Sequence, residues 1–179
     1  MSDSDERRIN IIQGEYQVSA DAGAVITTML GSCVAACLHD PLAKAGGMNH
    51  FLLAGGSATP GVGEAERHGV HLMELLVNGM LKLGASRDRL RAKLFGGARA
   101  MHGLTDIGAE NARFARAFLA REGIAIVGVS LGGEIGRRIQ FWPASGRARQ
   151  LFMSKSEAVP ALAARMQPPL PPSGDLELF

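Results

Sequence analysis

The sequence predicts an α+β fold, with antiparallel or mixed sheets layered with two main helices. Three observations carry this. Short apolar, β-rich runs outnumber helical patterns, the links between them are brief turns rather than the long crossovers of repeated βαβ units, and only two stretches space apolar residues three and four apart. The 179 residues suit one domain with tails, and an apolar content of 46% is enough for a core of useful size. No internal repeat or second domain is visible.

In chain order, residues 1–8 form a polar leader, and the domain is expected over 9–159. Ile9–Ile12 and Glu15–Val18 are expected to pair as strands around Gly14, and Asp21-Ala22-Gly23 turns into a strand at Ala24–Met29. On that strand Thr27 and Thr28 point to opposite sides. Val34–Leu38 is a buried strand closed by Asp40-Pro41, with Met48–Leu53 as its return partner. Asp followed by Pro favours a type I turn, the usual basis of a four-residue hairpin loop. A loop of Asp40–Ala43 pairs His39 with Lys44 and sets Cys33 opposite His50, their Cα atoms about 4.5–5.5 Å apart and both side chains on one face. A loop one residue longer puts them on opposite faces.

Further along, Ala54–Glu66 is rich in Gly, Ser, Pro and Ala and is expected to be a surface loop. Val70, Met73, Leu76, Val77, Met80 and Leu81 mark a helix over 67–84, with Gly84 as its stop. His68 and His71 on it are three apart, but no third ligand follows at a sensible spacing, so no metal site is expected. Arg91–Phe95 is a strand. Gly96-Gly97-Ala98 after it lacks the Lys and Ser/Thr of a phosphate loop and is read as a tight turn with close backbone packing. A second helix spans Ile107–Glu122, then come strands at Ala125–Val129, from the Gly132–Gly136 loop to Phe141, and at Ala148–Phe152. Arg137 and Arg138 are either a solvated pair or a contact for acidic side chains of a partner. Pro160–Phe179 holds five of the eight prolines and is expected to be disordered. Its ending, Asp175-Leu176-Glu177-Leu178-Phe179, alternates acidic and apolar groups, as a docking peptide does and as chance also produces.

Composition excludes several classes. Nineteen Lys and Arg against 17 Asp and Glu give a net charge of +2, with the basic residues scattered and one Trp, one Tyr and seven Phe among them. That is no nucleic-acid footprint. Neither a signal peptide nor a run of about 18 apolar residues is present, so a cytoplasmic protein without membrane insertion is expected. Cys33 and Cys37 lie about 13 Å apart along one strand, too far for a disulfide, which suits reduced thiols.

A cysteine beside a histidine matters because thiolate is the nucleophile, and a neighbouring imidazolium stabilises it. Residue types and spacing leave the alternative open that Cys33 is a small buried hydrophobe and His50 a core histidine. The run Leu30-Gly31-Ser32-Cys33-Val34-Ala35, the Asp40-Pro41 turn and Gly46-Gly47-Met48-Asn49-His50-Phe51-Leu52-Leu53 resemble the signature of CheD, the chemoreceptor glutamine deamidase family of bacterial chemotaxis. Lys93–Ala98 and Ile107–Asn111 resemble it too. The resemblance implies a layered α/β/β sandwich, related to the deamidase domains of cytotoxic necrotizing toxins.

For chemistry it implies a nucleophile at Cys33, its histidine at His50, and a third residue at Thr27, six positions before the cysteine, whose hydroxyl or backbone carbonyl orients the imidazole. Gly31, Ser32 and Asn49 are then candidates for binding the substrate or its oxyanion. No cofactor is needed. The implied substrates are methyl-accepting chemotaxis receptors, and a CheC-type phosphatase is an implied partner. Where the family carries an acidic residue before its paired glycine, this chain has Ser130. A general cysteine amidase or peptidase, and a regulator that binds without catalysis, are the rival readings.

Overall fold

A computed structural model describes residues 6–53, 62–99 and 106–154. Along them run β1 (Arg7–Asn10), β2 (Tyr16–Ser19), β3 (Ala24–Leu30), β4 (Val34–Asp40), β5 (Ala45–Asn49), α1 (Val62–Lys82), β6 (Arg91–Gly96), α2 (Ile107–Arg121), β7 (Ala125–Leu131), β8 (Arg137–Trp142) and β9 (Arg147–Phe152). The strands form a four-stranded sheet in the order β1-β3-β8-β9 and a five-stranded sheet in the order β2-β5-β4-β6-β7. Both are mixed, since β1 runs parallel to β3 and β7 parallel to β6.

The five-stranded sheet is the middle layer. Val34, Ala36 and Leu38 of β4 pack with Leu72, Met73, Leu76 and Met80 of α1 and Ala115, Phe118 and Leu119 of α2. The alternate residues Cys33, Ala35 and Cys37 pack with Ile26 and Leu30 of β3 and Ile139 and Phe141 of β8. A strand with both faces covered must be apolar throughout, which is why Val34–Leu38 shows no polar alternation. The order is therefore helices, five-stranded sheet, four-stranded sheet, the α/β/β layering expected. Each large side chain buried this way contributes roughly 1.5–3 kcal/mol.

Three local expectations are corrected. The strands on either side of Gly14 do not pair with each other: β1 joins β3 in one sheet and β2 joins β5 in the other, so Ile11–Glu15 crosses between sheets at their shared edge. The expected leader already enters β1 at Arg7, and α1 begins at Val62 inside the expected loop. The rest of that loop, residues 54–61, and the tail from Pro160 lie outside the described residues.

The third correction concerns the hairpin. Asp40 stays in β4 opposite Ala45, and the four loop residues are Pro41–Lys44. Its side chain is fully buried and accepts the N–H groups of Leu42, Ala43 and Ser86 as well as the Arg89 guanidinium. Those four donors hold Asp40 inside the strand, and the turn starts one residue later. His39 consequently faces Gly46 rather than Lys44, and Val34 faces Phe51. Every partner has moved by two. Because side chains alternate with a period of two, a slip of two keeps Cys33 and His50 on one face, as diagonal rather than direct neighbours.

Candidate active site

Cys33 immediately precedes β4 and His50 immediately follows β5, flanking the Val34–Phe51 bridge in which each backbone N–H donates to the other's carbonyl at 3.0 Å. Both side chains turn into the space between the sheets. His50 is fully buried, and Cys33 is 6% exposed.

The imidazole is oriented from the facing sheet. Nδ1 of His50 lies 2.8 Å from the Thr28 hydroxyl, which itself donates to the Ile11 carbonyl at 2.8 Å. A hydroxyl has one proton. With that proton given to Ile11, Thr28 accepts from Nδ1–H, and Nε2 is left as the basic nitrogen of the neutral ring. Thr27, the residue expected in this role, is turned away: its hydroxyl meets Asn10 at 3.3 Å, and its carbonyl accepts from Ile11 N–H. Alternation along β3 permits only one of two adjacent threonines to face the second sheet, and it is Thr28.

The loop before Cys33 is fixed through its carbonyls. Gly31 O accepts from Ala98 N–H, Ser32 O from Asn111 Nδ2 and Cys33 O from Gly97 N–H, at 2.8–2.9 Å. Gly96 makes this possible at φ +108°, and a Cβ there would stand 2.2 Å from Cys33 O. The tight turn with close backbone packing read from Gly96-Gly97-Ala98 is thus present, and it backs the cysteine.

Asn49, the other candidate for binding substrate, is turned away from Cys33 and His50. It faces the helices, fully buried, accepting from Ala36 N–H and donating towards Leu72 O and Met73 Sδ of α1. One odd-numbered position on β5 cannot share the face of His50. Asn111, which is not among the candidate site residues read from the sequence, also supports the site: its Nδ2 donates to Ser32 O, and its Oδ1 accepts Leu53 N–H at 2.8 Å. A polar residue amid the apolar stripe of Gly108, Ala115, Phe118 and Leu119 was the available signal.

Arg137 is 2% exposed and donates to Ser130 O, Ser130 Oγ and Gly132 O, which corrects its reading as a solvated or partner-facing arginine. These partners are neutral oxygens, and burial lowers the pKa of this arginine. Arg138 is exposed. His68 and His71 are exposed on α1, and among the described residues no cluster of three metal-ligating side chains exists. No described helix is long and apolar enough to cross a membrane.

A family model described as CheD, chemotactic sensory transduction, matches residues 52–150. Curated relatives reach further. A probable chemoreceptor glutamine deamidase CheD of Acidiphilium cryptum is 60% identical, covering 97% of this chain and 94% of its own. Proteins of the same name from Rhizobium leguminosarum bv. trifolii and Agrobacterium fabrum are 54% and 53% identical, covering 96% and 100% of this chain and 94% and 100% of theirs. Among solved structures, the hypothetical protein YfiH of Bacillus licheniformis superposes with a TM-score of 0.47 at 13% identity, over 64% of this chain and 49% of that one.

Proposed function

This chain belongs to the CheD family, and on that premise we propose that it hydrolyses the side-chain amide of glutamines on methyl-accepting chemoreceptors in the cytoplasm, with Cys33 as nucleophile and His50 as proton carrier. The observation that carries the assignment of roles is the shared face of Cys33 and His50 at the ends of neighbouring strands, on either side of the Val34–Phe51 bridge, with Thr28 at Nδ1 of the ring.

In this mechanism the Cys33 thiol gives its proton to Nε2 of His50 and the thiolate attacks the amide carbon. Negative charge then collects on the former carbonyl oxygen. Backbone N–H groups near Ser32 and Cys33 are the candidate donors to it, each worth about 3–4 kcal/mol in enzymes that use such donors. The anchored carbonyls of Gly31, Ser32 and Cys33 support this by keeping the loop from rearranging. Collapse expels ammonia, which takes the His50 proton, and leaves a thioester. Water, deprotonated by His50, hydrolyses it to glutamate and restores the thiol.

A cavity of about 440 Å³ opens beyond Gly97, with Arg99, Arg113 and Arg116 outnumbering Asp106 and Glu134 on its walls. Neither Cys33 nor His50 lines it, and its charge suits acidic side chains of a substrate segment away from the reacting amide. A CheC-type phosphatase is a further proposed partner, supported by family membership alone.

The test is to incubate the protein with receptor cytoplasmic fragments and map masses. A gain of about one dalton per modified glutamine, the exchange of NH₂ for OH, is expected. Undiminished conversion by Cys33→Ala or His50→Ala would discard the mechanism.

A further inference from the structure

The crossing between the two sheets passes over the nucleophile. Gly14 N–H donates to His50 O at 2.8 Å and His50 N–H donates to Glu15 O at 3.0 Å, so both backbone groups of the histidine hold this turn. The turn is tightened by Glu15 N–H to Ile12 O and by Ile12 N–H to the Glu15 carboxylate, each at 3.0 Å. Gly14 sits at φ +89°, where other residues are strained. Between these anchors stands Gln13, exposed, and the Cys33 thiol donates to its Oε1 at 3.8 Å.

Gln13 thus brings to the thiol the same functional group that the proposed reaction consumes. The contact is nonetheless unreactive. Oxygen is the near atom and the amide carbon lies behind it, beyond the 3–3.5 Å from which attack proceeds. A thiol is a weak donor, so the contact is also cheap to break. The backbone is pinned while the side chain is solvent-exposed and rotatable.

We propose that Gln13 is a resident stand-in for the substrate carboxamide: it caps Cys33 at rest, and a target glutamine binds by displacing it. This rests on the reading of Cys33 as nucleophile. The cap sets specificity by competition. A tethered group acts at an effective concentration in the millimolar range. Free glutamine and short glutamine peptides compete poorly against it. A receptor segment, which brings contacts of its own beyond the carboxamide, displaces it.

The experiment measures alkylation of Cys33 by iodoacetamide, itself a small carboxamide, in the full-length protein on a Cys37→Ala background. Peptide mass mapping identifies the modified site, and unfolding midpoints confirm equal stability. Gln13→Ala is expected to raise the rate threefold or more and to admit short glutamine peptides as substrates. Gln13→Asn keeps the amide but is one methylene too short, and is expected to behave like the alanine variant. An unchanged or slower rate in Gln13→Ala, or a wild-type rate in Gln13→Asn, overturns the proposal. Alkylation needs no turnover, so a failure to find receptor deamidation and a failure of the cap are read separately.

Discussion

Thr27 and Thr28 are adjacent on β3, and their hydroxyls serve opposite faces of it: one meets Asn10, the other the His50 ring. The two valine variants therefore separate the motif position from the contact. Thr28→Val removes an acceptor worth about 1.5 kcal/mol to the ring, and kcat should fall about tenfold or more. Thr27→Val, at a partly exposed position, should stay within twofold. Steady-state deamidation by both variants decides it, and the reverse order would return the orienting role to Thr27.

Asn111 ties together the chain just before the cysteine and just after the histidine. Asn111→Ala leaves Ser32 O and Leu53 N–H without that partner in a part-buried setting, at a cost of about 2–3 kcal/mol. Urea unfolding should show the loss, and kcat should drop with it because the Cys33 loop is released. A variant as stable as the parent would mean that water replaces the amide fully.

Much of this was legible in the chain. The apolar run Val34–Leu38, without polar alternation, marks a buried strand, and three-four spacing marks both helices. What the pattern could not give was the hairpin register. That depends on Asp40, whose Asp-Pro pairing reads as the start of a turn, whereas Ser86 and Arg89, almost fifty residues away, supply the donors that keep it in the strand. The face shared by Cys33 and His50 survived because alternation repeats every two residues. The motif points to Thr27, whereas the hydroxyl beside the His50 ring is that of Thr28, because a motif fixes a position and not a face.

Asp40 also sets a pH dependence. Burial alone would raise its pKa, but the Arg89 guanidinium and the N–H groups of Ser86, Ala43 and Leu42 outweigh it and hold the carboxyl well below the usual range. A depressed folded pKa contributes stability that is fully present above the unfolded value of about 3.9 and is lost as pH falls through the folded one. Asp40→Asn should therefore cost about 2 kcal/mol at pH 7. The gap should narrow below about pH 4, in urea titrations at stepped pH. A gap independent of pH would show that the charge is not what matters.

Cys37 shares the inward face of β4 with Cys33 but is 1% exposed. Burial pushes its thiol pKa up, and the charge of Lys93 only partly opposes this. At pH 8 iodoacetamide should label Cys33 and spare Cys37 in the folded protein, and Cys37→Ala should keep deamidase activity. Selective loss of turnover in a folded Cys37→Ala protein would give this thiol a role beyond packing.

Gly96 is where the backing of the nucleophile is most exposed to a single change. At φ +108° an alanine is strained, and its Cβ would meet Cys33 O at 2.2 Å, against backbone that cannot rotate away. The strain amounts to about 2–3 kcal/mol. Relief requires the Cys33 carbonyl to withdraw, which breaks its bond from Gly97 N–H and tilts the loop whose N–H groups are the oxyanion candidates. Gly96→Ala should thus lower the urea midpoint and depress kcat beyond what stability explains, with KM less affected. If the folded variant turns over receptor fragments within twofold of the parent, the position of the Cys33 backbone is not what the chemistry depends on.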